Sequence, residues 1–394
     1  MNAIGNHEAV MFIEGRRYDT GEPVRISIDQ GRIATIEPAR PTGPIEEWPY
    51  VAPGMFDLQI NGHGGIWYSQ PGLTAEDIIG TLIPHFAHGV TRIFPTLITN
   101  SFENLASGFT AIRQACEQEA WVAEMAPGCH LEGPYISRED GPRGAHGLEY
   151  VRDADWDEFS RLQEISGNRI KLLTLAPEVP GAIELIRRAV KSGVTVSIGH
   201  TAATPEDIRA AADAGATLST HLGNGAHGML RRHPNYIWEQ LAEDRLHTSI
   251  ICDGHHLPAS VVKTILRVKS PQRTILTCDA AGLAGCPPGE YRNAGVDVEV
   301  LADGRIVIAG QDQLLAGSTL CTDACVANAM RLGGVSLKEA IDMAGRVPAR
   351  LVGLETIELL PGSRADLITF HVSPESNCLD IRATLFGGEY RHGG

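Results

Sequence analysis

Strand-like and helix-like segments alternate eight times along the middle of the chain, and this alternation restricts the fold more than any other feature. The strand candidates are nearly continuous apolar runs, which is typical of parallel strands covered on both faces. They cover residues 51–60, 92–97, 128–132, 170–176, 195–200, 217–221, 248–253 and 274–279. Eight repeats predict a closed α/β barrel of the (β/α)8 TIM type, although a doubly wound parallel sheet would share the local pattern. Gly/Pro turns at residues 286–314 interrupt the alternation and predict a hairpin insertion.

One repeat, residues 194–221, shows the pattern most clearly and places two histidines at strand ends. One apolar run ends at His200 and the next ends at His221, with a helix between them that begins after Thr204 and stops at Gly215. Successive parallel strands end at the same edge of a sheet, so the two imidazoles should be neighbours. Converging neutral imidazoles are typical ligands of a transition metal. Taken alone, the pair is equally compatible with two unrelated histidines at loop starts.

The two ends of the chain have a different pattern. Near the N-terminus Val24, Ile26 and Ile28 alternate with polar residues, and the tail has strand candidates at residues 365–371 and 385–390. Such alternation is typical of a sheet with one solvated face. At 394 residues the chain has room for a barrel of about 250 residues and a smaller companion. We therefore predict one small sheet built from both termini, with two independent edge strands as the alternative.

Composition and charge argue against several classes of protein. The formal net charge of −15 argues against nucleic-acid binding, which needs a basic face. No run of about 18 apolar residues is present, so we expect no membrane span. The stretch MNAIGNHEAV lacks the basic and apolar regions of a signal peptide. Cys129, Cys252 and Cys278 lie in apolar runs and the chain has no CxxC pair, so we expect buried, reduced thiols in a cytoplasmic enzyme.

Polar side chains recur at the carboxyl ends of the predicted strands, which is the face where barrel enzymes carry their chemistry. These residues include Asp57, Gln59, Asn61, Glu132, His200, His221, Asp253, His255, His256 and Asp279. Glu132, His200 and His221 would form a ligand set of the catalytic zinc type, which leaves one position open for water. Asp279 could then move the proton of that water, with an N-cap or a barrel salt bridge as its alternative role.

Six sequence blocks identify a known family. They are APGMFDLQINGHGG, HLEGPYIS, SIGHTAAT, STHLGNGAHGM, CDGHHL and LTCDAAGLAG, and they fall in this order between Ala52 and Ser318. The blocks resemble those of the N-acetylglucosamine-6-phosphate deacetylases of the amidohydrolase superfamily, and the tail PGSRADLITF resembles that superfamily's closing strand. The resemblance implies a metal-dependent barrel at residues 51–354 with a small β-sandwich formed from both chain termini, residues 1–50 and 355–394.

The same resemblance implies a reaction and the residues that perform it. The reaction is hydrolysis of an N-acetylhexosamine 6-phosphate, foremost N-acetylglucosamine 6-phosphate, to the amino sugar phosphate and acetate, carried out by a homodimer. The matching positions are Glu132, His200 and His221 for the metal ligands, Asp279 for the general acid and base, His256 and His146 for substrate contacts, and Asn224, Gly225 and Arg232 for the phosphate. A guanidinium pairs well with phosphate, although Arg231 and Arg232 could equally be a solvated surface pair.

The sequence departs from the superfamily pattern at the end of the first barrel strand. Gln59 and Asn61 occupy the positions where many members have a His-x-His pair that binds a second metal. Neutral amides are poor ligands for zinc, so we expect one divalent ion per subunit, with zinc preferred and iron, manganese or cobalt as alternatives. We count Gln59 and Asn61 among the substrate-binding residues.

A second departure affects the substrate. The loop Asn224-Gly225-Ala226 replaces the Asn-Ala-Met that the family often has, which leaves open the sugar epimer and the need for a 6-phosphate. An amidohydrolase acting on a non-phosphorylated N-acetyl sugar, a cyclic amide or an aminated base is the alternative enzyme, and acetate release against ammonia release separates the two. A catalytically silent barrel that serves as an assembly module is the alternative from another class, and metal analysis would test it.

Overall fold

The structure, a computed structural model, describes residues 11–293, 296–373 and 378–394. Its strands, in chain order, are β1 Met11–Arg17, β2 Pro23–Asp29, β3 Arg32–Pro38, β4 Tyr50–Pro53, β5 Met55–Ile60, β6 Gly62–His63, β7 Ile66–Trp67, β8 Val90–Ile98, β9 Cys129–Glu132, β10 Ile170–Leu175, β11 Thr195–Ile198, β12 Leu218–Ser219, β13 His247–Ile251, β14 Thr274–Thr277, β15 Gly289–Asn293, β16 Val296–Val300, β17 Arg305–Ile308, β18 Gln311–Ser318, β19 Leu367–His371, β20 Asp380–Phe386 and β21 Glu389–His392.

The α-helices are α1 Ala75–Leu82, α2 Phe102–Gln118, α3 Ala120–Met125, α4 Trp156–Ile165, α5 Ala182–Lys191, α6 Pro205–Ala214, α7 Tyr236–Ala242, α8 Ala259–Lys269, α9 Thr322–Asn328, α10 Leu337–Met343 and α11 Arg346–Leu351. Within the described ranges, no helix is both long enough and apolar enough to cross a membrane.

Eight parallel strands form the central sheet. They are hydrogen-bonded in the order β5-β8-β9-β10-β11-β12-β13-β14. A parallel bridge between Ile60 and Ala280 joins the two ends of this sheet, and the Asn61 N–H donates to the Ala280 carbonyl at 2.8 Å. The sheet therefore closes on itself, which confirms the predicted (β/α)8 barrel and excludes the open doubly wound sheet.

A buried carboxylate ties the first barrel strand to the last. Asp57 on β5 accepts hydrogen bonds from the Thr277 hydroxyl at 2.5 Å and the Cys278 N–H at 2.9 Å, both at the end of β14. It also accepts from the Thr322 hydroxyl at 2.8 Å, where α9 begins, and from the Gln59 N–H at 2.9 Å. Burial raises the pKa of Asp57. Four donors around one carboxylate fix the relative positions of the two strands that close the barrel.

The helices between the strands have clear sequence signals, and α6 is the best example. The Thr204 hydroxyl accepts from the Asp207 N–H and the Asp207 carboxylate accepts from the Thr204 N–H, which completes a capping box. Gly215 ends the helix with φ 108°, a conformation that favours glycine. Ile208 and Ala211 are buried on the face turned to the core. The helix thus returns the chain to the same edge of the sheet before β12 begins.

A second sheet is assembled from both ends of the chain, as predicted. Its seven strands are ordered β21-β20-β19-β4-β1-β2-β3, and β19 pairs antiparallel with β4. The rings of Phe86, next to the barrel, and Phe386 on β20 contact each other at 5.6 Å between centroids, and the Thr384 hydroxyl donates to the Phe86 carbonyl at 2.7 Å. These contacts attach the terminal sheet to the barrel. The division into domains at residues 50 and 354 stays a prediction.

The predicted hairpin insertion is present after β14. The strands β15–β18 form a four-stranded antiparallel sheet. Its apolar residues Val298, Val300 and Ile306 are buried in a small cluster together with Trp67 and Leu283, which lie near the carboxyl ends of the barrel strands. The insertion therefore lies over the face of the barrel where the strand-end residues meet.

Candidate active site

Four of the candidate site residues lie at the carboxyl end of a barrel strand or just beyond it. Glu132 is the last residue of β9, and His200, His221 and Asp279 each lie two residues beyond the end of a barrel strand. The last three have positive φ angles of 51°, 29° and 50°. Left-handed backbone is unfavourable for residues other than glycine and persists only where the surrounding structure imposes it. The fold thus holds the backbone of these three residues in a strained conformation, which fixes the direction of their side chains.

Glu132, His200 and His221 converge on one point. The Glu132 Oε1 atom lies 3.1 Å from His200 Nε2 and 2.9 Å from His221 Nε2, and the two Nε2 atoms are 3.1 Å apart. All three side chains are buried. Within the residues that the structure describes, this is the one group of three or more His, Cys, Asp or Glu side chains close enough to hold a metal ion.

The hydrogen bonding of His200 shows why this arrangement suits a cation. Its Nδ1 atom lies 2.9 Å from the Pro142 carbonyl oxygen, which can only accept, so Nδ1 carries the proton. In neutral His200 the Nε2 atom then presents a lone pair to the Glu132 oxygen, which presents lone pairs of its own. Two such atoms at this distance repel each other unless a positive charge lies between them.

The spacing and chemistry of the three groups fit a divalent metal. Tetrahedral zinc with metal–ligand bonds of ~2.0–2.1 Å separates its ligand atoms by about 3.3 Å, near the distances observed here. Burial acts to raise the pKa of Glu132, but hydrogen bonds and positive charge from protonated His200 and His221, or a cation in the place of those protons, hold that pKa well below its usual range. The carboxylate is therefore ionised and available as a ligand. The Pro142 contact fixes the tautomer of His200, as partners of metal-bound histidines commonly do.

Gln59 and Asn61 brace the two carboxylates of the site. The Gln59 side-chain amide donates to Glu132 Oε1 and to Asp279 Oδ1, both at 3.0 Å, and the Asn61 amide donates to Asp279 Oδ1 at 2.7 Å. Asn61 lines the cavity, but Gln59 is buried and is not among the lining residues. The structure thus places Gln59 where it orients Glu132 and Asp279, whereas the sequence suggested a contact with substrate.

Asp279 lies beside the metal-ligand candidates and has an unusual acidity. Burial, followed by the negative charge of Glu132, raises the pKa of Asp279 to about 7, while His221 and Asn61 act in the opposite direction. A carboxyl group with a pKa near the operating pH can both accept and return a proton. This is the property that the predicted general acid and base requires.

His256 is oriented by Asp253, a residue to which the sequence had given no role. The His256 Nδ1 atom lies 2.8 Å from Asp253 Oδ2, and Asp253 Oδ1 accepts from the backbone N–H groups of His255 and His256 at 2.8 and 2.9 Å. Burial tends to raise the pKa of Asp253, but the bonds from His256 and His255 and the charge of His256 lower it to about 2. The ionised carboxylate thus holds Nδ1 of His256, whose ring lines the cavity. Asp253 and His256 are three residues apart at the end of a predicted strand, and this spacing was the sequence signal that could have identified the pair.

These groups open into one cavity of about 340 Å³, a size suited to a small molecule. Asn224, Gly225 and His146 line it, as the sequence predicted for substrate contacts. The His146 Nδ1 atom lies 2.7 Å from the Thr99 hydroxyl, and its ring centroid is 4.2 Å from that of His200. Apolar side chains that sequence reasoning missed complete the wall, namely Trp67, Ile98, Val298, Ile308 and Leu315. Most of these belong to the insertion, whose position over the barrel has no local sequence signal.

Arg232 does not join the cavity. It is exposed and absent from the residues that line it, and the described lining includes no lysine or arginine. The positively chargeable groups of the lining are five histidines, His146, His200, His221, His255 and His256. Arg232 thus lies outside the described cavity lining, and its contact with a phosphate stays a prediction.

A parallel barrel with a glutamate, two histidines and an aspartate converging at its carboxyl end has the architecture and residue types of a metal-dependent hydrolase. Comparison with known proteins agrees with this class. The model of the amidohydrolase family matches residues 50–390, and the chain therefore belongs to the amidohydrolase family.

Individual relatives show which members of the amidohydrolase family this chain is similar to. The chain is 34% identical over 348 residues to N-acetylgalactosamine-6-phosphate deacetylase of Escherichia coli O157:H7, covering 87% of this chain and 89% of that protein. It is 33% identical over 361 residues to human N-acetylglucosamine-6-phosphate deacetylase, covering 86% and 82%. The structure of the Mycobacterium smegmatis N-acetyl-D-glucosamine-6-phosphate deacetylase in complex with N-acetyl-D-glucosamine-6-phosphate superposes with a TM-score of 0.83 at 30% identity, covering 94% of each chain. Within its family, the chain belongs with the N-acetylglucosamine-6-phosphate deacetylases.

Proposed function

We propose that this chain is a metal-dependent deacetylase that hydrolyses the N-acetyl group of an N-acetylhexosamine 6-phosphate to the amino sugar phosphate and acetate. The observation that carries the proposal is the convergence of Glu132, His200 and His221 on one point beside Asp279, in a cavity of sugar-phosphate size. The activities for which the relatives are named support the substrate class.

We assign Glu132, His200 and His221 as the ligands of one divalent ion. A carboxylate and two imidazoles suit zinc, and iron, manganese or cobalt would be accepted by the same set. Gln59 and Asn61 support a single ion because their amides donate to Glu132 and Asp279 and so occupy the positions where further ligands would be needed.

The chain's own groups account for the movement of protons and the binding of the reacting amide. A divalent ion held by the three ligands would polarise the amide carbonyl and acidify water. Asp279 then accepts a proton from the attacking water and returns it to the departing sugar nitrogen, which converts the poor amide leaving group into an amine. Gln59 and Asn61 hold Asp279 in place for both transfers. The ring of His256, fixed by Asp253, contacts the scissile carbonyl.

The substrate lies against the loop of Asn224 and Gly225, with His146 and His256 on the other walls of the cavity. N-acetylglucosamine 6-phosphate is the first substrate to test because the human relative is named for it. The relative from Escherichia coli is named for the galactosamine epimer, so that compound is the second candidate.

We also propose that the active form is a homodimer. Met229 is 93% exposed and Trp238 is 52% exposed, and both lie close in sequence to the cavity loop at Asn224. A large exposed apolar patch is typical of a surface that another protein covers, and these two residues are our candidates for such a patch. Sedimentation or light scattering that gives the mass of one chain would contradict the dimer.

The experiment that tests the function combines metal analysis with a substrate panel. Purified protein should contain one divalent ion per chain and release acetate from an N-acetylhexosamine 6-phosphate, and much less from the unphosphorylated sugars. The Asp279→Asn variant should retain the metal but lose turnover by about 10²- to 10⁴-fold. Release of ammonia from a cyclic amide or aminated base would instead favour the alternative amidohydrolase. Full turnover by the metal-loaded variant would contradict the role of Asp279.

A further inference from the structure

Two loops meet over the cavity and touch through glycines. The first, residues 133–147, follows β9, and the second, residues 220–235, follows β12. A Cβ atom at Gly141 would lie only 2.9 Å from the His227 Cα atom, and one at Gly144 would lie 4.0 Å from the Gly225 Cα atom. The backbones of the two loops therefore approach each other more closely at Gly141 than a side chain would permit.

A polar contact closes the same pair of loops at the surface. The His227 Nε2 atom of the second loop lies 3.0 Å from Glu139 Oε2 of the first. Its Nδ1 atom lies 3.0 Å from the Tyr236 hydroxyl at the start of α7, and that hydroxyl also accepts the His227 backbone N–H at 2.8 Å. The hydroxyl can accept from the N–H and donate to Nδ1, which leaves Nε2–H to donate to the carboxylate. Both ring nitrogens are thereby engaged by different elements.

Both loops also contact His200. The Pro142 carbonyl of the first loop accepts the His200 Nδ1–H at 2.9 Å. In the second loop, a Cβ atom at Gly225 would lie 2.8 Å from the same Nδ1 atom, so the backbone there packs directly against the ring. Gly141 and Gly144 line the cavity together with Asn224 and Gly225. Separation of the loops would therefore displace both the cavity wall and the support of His200.

We propose that Glu139 and His227 are positioning residues that latch the two loops together, so that the wall of the substrate cavity and the orientation of His200 depend on a contact at the surface. The proposal rests on the function proposed above. Neither side chain lines the cavity, and the Glu139 side chain is 64% exposed, so the latch acts only through the loops. Its exposure also makes the contact weak enough to open and close.

The test is a double-mutant cycle with Glu139→Ala, His227→Ala and the double variant. Each single variant should raise KM for the better of the two N-acetylhexosamine 6-phosphates by about two- to fivefold, the range for an exposed polar pair, and should lower kcat by no more than the same factor. The double variant should be no worse than His227→Ala, because the two residues act as one contact. Glu139→Gln keeps an oxygen that accepts from Nε2–H and should restore part of the loss.

A second readout does not depend on turnover. Amide hydrogen exchange in residues 141–146 and 223–227 should become faster in Glu139→Ala than in the unmodified protein, by a similar factor. Glu164→Gln, an exposed position on α4 outside both loops, serves as the matched control and should change neither quantity. Unchanged exchange, or KM effects that simply add, would overturn the latch. Faster exchange in a protein that deacetylates none of the sugars would retain the latch and contradict the proposed function instead.

Discussion

The chemistry of this site depends on individual residues whose surroundings change their ordinary behaviour. An aspartate in water has a pKa of 3.8, but burial and the charge of Glu132 raise that of Asp279 to about 7. The proton of the His200 Nδ1 atom is fixed because the Pro142 carbonyl can only accept a hydrogen bond. Residue type was readable from the sequence in both cases. The acidity and the tautomer were not, because they depend on neighbours that are distant along the chain.

The raised pKa of Asp279 predicts the acid limb of the pH profile. The group must be ionised to accept a proton from water, so kcat/KM should fall as the pH falls through its pKa. A bound cation favours the ionised form, so the midpoint should lie above 3.8 but no higher than about 7. The measurement is kcat/KM from pH 4 to 9, with metal content checked at each pH to exclude loss of the ion. A profile that stays flat to below the ordinary aspartate value would contradict the assignment.

At the scale of elements, the repeat β11-α6-β12 precedes and positions both histidines, and the boundaries of its helix were predicted accurately, whereas both strands end two residues before the predicted His200 and His221. The N-cap at Thr204 and the stop at Gly215 fall where the sequence placed them. Capping and glycine signals depend on only a few neighbouring residues, so they can be recognised in the sequence without knowledge of the rest of the fold. The insertion β15–β18 was predicted as a hairpin only. Its four strands cover the barrel face because Trp67 and Leu283 provide an apolar contact that no local pattern reveals.

The capping box of α6 gives a prediction at this scale. Thr204→Ala removes the oxygen that accepts the Asp207 N–H, and should lower the free energy of unfolding by about 0.5–2 kcal/mol. Thr204→Ser keeps that oxygen and should lose much less. Urea denaturation followed by circular dichroism compares the two variants. Equal stability of the alanine and serine variants would show that the cap contributes nothing.

At the scale of the whole molecule, closure of the barrel brings the site together. Glu132 ends the third barrel strand and Asp279 follows the eighth, yet the Gln59 amide donates to both of them at 3.0 Å. This contact requires the first and last strands to be adjacent, which the Asp57 cluster and the Ile60–Ala280 bridge secure. Catalytic geometry and barrel closure are therefore linked through β5.

Asp57→Asn should test that link. All four of its hydrogen-bond partners are donors, so an amide NH2 in place of one oxygen would face another donor in a buried site. We expect a loss of about 1–3 kcal/mol in the free energy of unfolding, measured by chemical denaturation. Asp244→Asn, at an exposed position, is the control and should change stability little. An Asp57→Asn variant as stable as the control would show that the cluster does not hold the barrel closed.

The sequence by itself determined which side chains stand at the strand ends and that the strands are parallel, because strand period, helix caps and residue chemistry are local properties. It therefore predicted the barrel, the sheet built from both termini and the convergence of Glu132, His200 and His221. The tertiary structure alone decided how these groups meet. In the tertiary structure Gln59 donates hydrogen bonds to both carboxylates, Asp253 holds His256, and Arg232 lies outside the cavity. Such contacts join residues far apart in the chain, and their distances depend on how the barrel closes and how its loops pack.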